Sequence, residues 1–187
     1  MGVTPVPTPR FAEVLDSIRA LRFRPDAALT EIPAPTGIAP YGLAVEARIA
    51  GSQGEDASGT FVVLHNPDPP RVWEGDLRVV ILAKANVEEE MGVDPLLAEV
   101  AWTWLAEVLD GIGPLPAALS GTVTRTASES FGALRPRGLT VGLEVRASWT
   151  PPTADVGPHL GAWLDFLARL GGVEPLPHGV ARLRRAH

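Results

Sequence analysis

With 187 residues, 45% of them hydrophobic and 20% charged, the chain is long enough for one domain with a substantial core and too apolar to be disordered along most of its length. It has no cysteine, which excludes disulfides, thiol chemistry and thiolate zinc sites. Its formal net charge of −6 works against non-specific binding to nucleic acid, whose phosphates demand a basic surface, and no run of about 20 apolar residues offers a membrane span.

The opening MGVTPVPTP has neither the basic region nor the apolar run of a signal peptide, so the expected setting is cytoplasmic. Thr8 and Pro9 then open a helix, one as capping hydroxyl, the other where a missing N–H costs nothing. Phe11, Val14, Leu15, Ile18 and Leu21 follow the three-and-four spacing of one buried face. The helix ends before Pro25, and a connector containing Pro33, Pro35 and Pro40 is expected to run extended along the surface. From Tyr41 the period becomes two: Tyr41, Leu43, Val45, Ala47 and Ile49 point one way, Glu46 and Arg48 the other. A second strand spans Thr60 to His65. The segment Asn66 to Gly75 is too rich in proline to pair in a sheet. The third strand, Leu77 to Ala85, carries Val80 and Leu82 on its second face, which hints at a central position.

The longest periodic apolar stretch is DPLLAEVAWTWLAEVLDG, Asp94 to Gly111, with two of the five tryptophans. Asp94 and Pro95 suit its start; Gly111 and Gly113 end it. Its apolar residues form two stripes, Leu97/Ala101/Trp104/Val108 and Ala98/Trp102/Leu105/Leu109. A single sheet covers one such stripe, so the second, with Trp102, Leu105 and Leu109, is expected to be a partner-binding surface closed by a second copy of the chain. Strands at Gly121 to Ala127 and Thr140 to Trp149 follow, predicted to form a hairpin through FGALRPRG. Leu160, Trp163, Leu164, Leu167 and Leu170 mark a last amphipathic helix, closed by Gly171 and Gly172.

The order α-β-β-β-α-β-β-α, with most strands too close together for parallel crossovers, predicts an α+β fold: a mainly antiparallel five-stranded sheet with three helices. Residues 9–176 form the domain, 1–8 a flexible leader and 177–187 a flexible basic tail.

The stretches VWEGDLRVV, DPLLAEVAWTWLAEVLD, SGTVTRTASESFGAL and EVRASWTP, with the opening helix, resemble the actinobacterial family catalogued as domain of unknown function 3000. Together they cover most of Arg10 to Leu176, and the resemblance implies no activity, cofactor or catalytic residue. The element order is also similar to that of the class I type III secretion chaperones, small acidic homodimers that bind segments of other proteins. That likeness is one of topology alone, and fold does not imply function.

Among polar groups, His65, Asp68, Glu74 and Asp76 are the best cluster for acid/base work or metal ligation, which needs them convergent and partly buried. Their spacing matches no metal motif, and a polar turn in which Asn66 and Asp68 bond to local backbone explains them better. Trp73 in the same loop reads as a lid over the core. Glu88, Glu89, Glu90 and Asp94 suit the approach to a helix N-terminus. Ser128, Glu129 and Ser130 lack the elbow or histidine that would activate a serine. No glycine-rich phosphate loop occurs. The sequence therefore leads to a noncatalytic protein-interaction or chaperone-like adaptor module, a homodimer with no metal and no cofactor. One alternative is an enzyme built around His65 to Asp76. Another is a nucleic-acid accessory protein using Arg125, Arg146, Arg182 and Arg184.

Overall fold

Alternation at a period of two runs through six segments of the chain, and each pairs antiparallel with its neighbours. They are β1 (Ala27–Ile32), β2 (Tyr41–Ala50), β3 (Asp56–His65), β4 (Leu77–Val87), β5 (Ala117–Glu129) and β6 (Leu139–Thr150), side by side in the order β1-β2-β3-β4-β6-β5. Among the described residues four helices accompany them: α1 (Pro9–Ala20), α2 (Glu89–Gly92), α3 (Leu97–Asp110) and α4 (Gly157–Leu170), with a 3-10 turn at Arg71–Trp73. The computed structural model describes residues 6–51, 56–129, 131 and 139–173. The hairpin turn, most of the leader and the basic tail, Arg182 and Arg184 included, lie outside the described residues.

The α+β class and antiparallel sheet are as expected, but six strands and four helices replace five and three. β1 is a six-residue edge strand with no buried residue, so its apolar alternation is weak, and it falls where the prolines of the connector suggested irregular chain. α2 is a single turn beside Val141, where a Cβ on Gly92 would lie 2.4 Å from that side chain.

One sheet face is dry and one wet. Ala47, Ile49, Phe61, Val63, Val79, Ile81, Ala83, Val145 and Trp149 are buried together under α1, α3 and α4. The opposite face carries Arg48, Lys84, Thr122, Thr124 and Arg146, all exposed. This is the half-buried pattern that alternation demands of a one-layer antiparallel sheet.

α4 lies at the centre of the dry side. Its Leu160, Ala162, Trp163, Leu164, Phe166, Leu167, Ala168 and Leu170 are all buried, leaving little more than Asp165 and Arg169 toward water. Trp163 settles on Gly59, which is flanked in register by Ala47 and Ala83; a Cβ at Gly59 would come 3.0 Å from its ring. The start of α4 has Val156 at the cap position, where no side chain can accept a hydrogen bond. Ser17 of α1 does so instead, its hydroxyl accepting from the Val156 and Gly157 N–H groups at 2.9 and 3.0 Å and donating to the Val14 carbonyl. The helices meet closely here, since a Cβ on Gly157 would lie 2.5 Å from the Ser17 carbonyl oxygen. Arg24, also buried, donates to Asp26 and to Asp165 and ties the turn before β1 to α4.

This arrangement corrects the reading of α3. Leu97, Ala101, Leu105 and Leu109 form its single fully buried line, with Trp102 and Trp104 half-buried on either side. Trp104 meets α4, where the Arg169 guanidinium sits 4.9 Å from its ring centroid, and Trp102 lies on β5, where a Cβ at Gly121 would be 2.8 Å from its ring. The two stripes thus belong to one chain's core. The second stripe needs no second copy to cover it, because α4, buried on nearly every side, packs against α3 as well as against the sheet.

Two expectations follow. Ser17→Ala should lower the urea-derived unfolding free energy by about 1 to 2 kcal/mol, the usual worth of an N-cap. The second concerns His159, buried with its Nδ1 accepting from Trp149 Nε1 at 3.2 Å. Burial lowers its pKa from 6.5 to about 4, against a smaller opposing pull from Asp155. The unfolded chain therefore takes up the proton first, so this stabilisation is complete above pH 6.5 and is lost as pH falls toward 4. The loss is about 3 kcal/mol. Thermal unfolding at pH 7 and 4.5 should separate the wild type by more than His159→Gln, which keeps an acceptor but cannot charge.

Candidate functional site

The end of β3 and the start of β4 are joined by the proline-rich loop, and their register sets His65 opposite Leu77. Asp76 therefore stands beside His65. The ring Nδ1 lies 3.1 Å from the Asp76 carbonyl, which can only accept, so Nδ1 carries the proton. The Asp76 carboxylate is 3.7 Å from the same nitrogen and accepts from Arg10 at 3.1 and 3.4 Å. Phe11 and Tyr41 stack on the imidazole, with centroids 6.2 and 5.6 Å away. Of the four polar residues picked from the sequence, only His65 and Asp76 converge. Asp68 is exposed, its N–H held by Asn66 Oδ1 at 3.0 Å, and Glu74 is exposed at a left-handed φ of 57°. Among the described residues no three His, Asp or Glu side chains are grouped to hold a metal ion.

Beside this corner, between α1, β2 and the proline-rich connector, is a cavity of ≈ 680 Å³ walled by Phe11, Leu15, Ile18, Pro40 and Tyr41. Its charged groups are Arg19 and Glu31 and its hydroxyls Thr36 and Tyr41, and among the described residues it holds no histidine to activate either hydroxyl.

A second concavity, of ≈ 570 Å³, opens on the wet face of the sheet, where Ile38, Leu64, Val72, Trp73, Val80 and Leu119 surround Arg78. Arg78 points to this face because it alternates with Leu77 and Val79, which go to the core. Its Nη1 donates to Thr150 Oγ1 at 3.2 Å, and its Nη2 to Ser148 Oγ at 2.7 Å and the Ala118 carbonyl at 3.1 Å. The Thr150 hydroxyl in turn donates to the Trp73 carbonyl. Burial pushes the guanidinium below its ordinary value, while nearby Glu74 raises it. Ala118 reaches Arg78 from an irregularity in the β5–β6 register, at a φ of 48°. Trp73 is buried, as a lid would be, yet on this face and outside the main core. In the sequence the signal for Arg78 is a single arginine inside the apolar strand LRVVILA.

The partner-binding trio separates: Leu105 and Leu109 are fully buried, and only Trp102 keeps some exposure. Exposure on this side of the molecule falls instead on Met91, Val93, Leu96 and Val100. Arg125, a candidate phosphate contact, donates to the Gly92 and Asp94 carbonyls, and Arg146 pairs with Glu144 at 2.7 Å.

Residues 7–181 match the model of a family described as protein of unknown function (DUF3000). The chain belongs to this family. DUF3000 membership spans every element from α1 to α4 and assigns none of them an activity. No curated protein and no solved structure matches the chain. No helix among the described residues is long and apolar enough to cross a membrane.

Thr150→Val should be costly, because it leaves the Trp73 carbonyl and an Arg78 N–H unmet in a buried setting. Urea unfolding should register about 1 to 3 kcal/mol of lost stability. Thr150→Ser, which keeps the hydroxyl, should lose less.

Proposed function

We propose that the chain is a cytoplasmic, noncatalytic protein-interaction module, an adaptor that associates with a second copy of itself through the corner formed by α2 and the start of α3. One observation carries the reading: Met91, Val93, Leu96 and Val100, four large apolar side chains within ten residues, are all exposed, Leu96 at 56% and Val93 at 63%. Single exposed apolar residues are ordinary, but a cluster rimmed by polar groups is the mark of a contact surface. Leu96 and Val100 are one helical turn apart and so share a side of α3. Arg125 braces the corner through the Gly92 and Asp94 carbonyls, which gives the surface a fixed shape to present. A two-fold axis is the simplest way to cover such a patch, since the same side chains then meet themselves. The outer edge of β5 beside it has no strand partner among the described residues and offers backbone groups to an incoming segment, as an adaptor requires.

The enzyme reading is weaker, because a buried His65 with Nδ1 committed to a carbonyl faces a single carboxylate already bound by Arg10. The nucleic-acid reading loses Arg125 and Arg146 to intramolecular partners.

Val100→Arg tests the proposal better than a change at Trp102, which lies against Gly121. Light scattering should give the wild type twice the chain mass of 19.8 kDa and the variant a single chain, with unchanged circular dichroism. A wild type that is monomeric at about 100 μM, too weak for a dedicated dimer, contradicts the proposal.

A further inference from the structure

The wet face of the sheet holds one buried arginine that makes no ion pair among the described residues. Arg78 is 8% exposed, and the oxygens it reaches on Thr150, Ser148 and Ala118 are all uncharged. Among the described residues no ion pair joins it to a carboxylate, whereas the equally buried Arg24 has both Asp26 and Asp165. Glu74 is near enough to act on the Arg78 charge but makes no ion pair with it. A guanidinium stays protonated in proteins, and a charge withdrawn from water without a counter-charge is costly. Around this charge the rim is apolar and open: Val72 is 77% exposed, Ile38 54% and Val80 38%. The concavity is an open one, and its ≈ 570 Å³ falls within the size of small-molecule sites.

We infer that this concavity binds a small organic acid, a single carboxylate on an apolar body, with the carboxylate against Arg78 and the body against Val72, Val80 and Ile38. Of the five N–H donors of the guanidinium, three go to Thr150, Ser148 and Ala118, which leaves two, on Nε and Nη1, for charge-assisted hydrogen bonds to a carboxylate. The charge balance selects a monoanion. Among the described residues Arg78 is the one cation lining the cavity, and two other cations of the same face, Lys84 and Arg146, are held by Glu144 at 3.0 and 2.7 Å. Glu74 repels any anion that approaches, and repels a phosphate dianion twice as strongly. The hydrogen bonds from Arg78 to Thr150, Ser148 and Ala118 fix the guanidinium before a ligand arrives, so little ordering is left to binding. This site is separate from the α2–α3 corner and does not depend on the chain's state of association.

Octanoate titrated into the full chain, followed by calorimetry and by the fluorescence of Trp73 in the cavity wall, tests the inference. Stoichiometric saturable binding is expected, with octanamide, which lacks the charge, and acetate, which lacks the body, each weaker by roughly tenfold or more. Val72→Glu sets an anion at the mouth on a side chain that the core does not need, and should weaken octanoate by a similar factor. Arg78→Met, read where circular dichroism shows it folded, should abolish binding. The inference is overturned by the absence of saturation at millimolar octanoate, by octanamide binding as well as octanoate, or by indifference to Val72→Glu. Binding of a peptide with a free apolar C-terminal residue where octanoate does not bind would likewise overturn it, in favour of a peptide site.

Discussion

Trp163 can lie close on the sheet only because Gly59 is beneath it, with Ala47 and Ala83 on either side. That fit seats α4 low enough for its remaining circumference to be covered by other elements, and they are positioned from it in turn. α1 crosses at Gly157 and lends Ser17 as the cap that Val156 cannot supply. α3 is held from its other side, with Trp104 under Arg169 and Glu107 accepting from the same guanidinium at 2.7 Å. The turn before β1 reaches in with Arg24. The fit carries a local cost, since among the described residues Trp163 Nε1 is buried without an acceptor, about 1 to 3 kcal/mol for such a donor. Burial of a large aromatic and the packing around it outweigh this.

Because every long helix is drawn to α4, all of them gather on one side, and the other face of the sheet is left to its own side chains. Most of that face meets water with threonines and paired charges. At one end it does not: Leu64, Val80 and Leu119 are apolar, the proline-rich loop folds Trp73 down onto them, and Arg78 emerges between. The α2–α3 corner differs in kind, being a set of exposed apolar side chains with no buried charge at its centre.

Much of the fold is legible in the sequence. The start of α1 at Thr8 and Pro9 and the strands β2, β4 and β6 follow directly from period and caps, to within a residue or two at their ends. β1 escapes because six residues at an edge bury almost nothing on which a pattern could be read. The burial of α4 was written in its composition: only Asp165 and Arg169, one turn apart, interrupt Leu160 to Leu170 with charge. Counting leucine and tryptophan alone overlooked Ala162, Phe166 and Ala168, and that omission made a second copy look necessary for α3. Ser17 capping a helix about 140 positions away, and Arg24 meeting Asp165, are non-local and leave no mark in any window of sequence. The site was the least legible part, since the uncompensated state of Arg78 depends on which carboxylates fail to reach it.

Native-state hydrogen exchange read residue by residue tests most directly whether α4, rather than the more conspicuous α3, is the element on which the fold rests. The amides of Leu160 to Leu170 should exchange only through global unfolding, as slowly as those of central β3 and β4, with α3 and the edge strands β1 and β5 opening at lower free energy. Amides of α3 that outlast those of α4 would contradict the account.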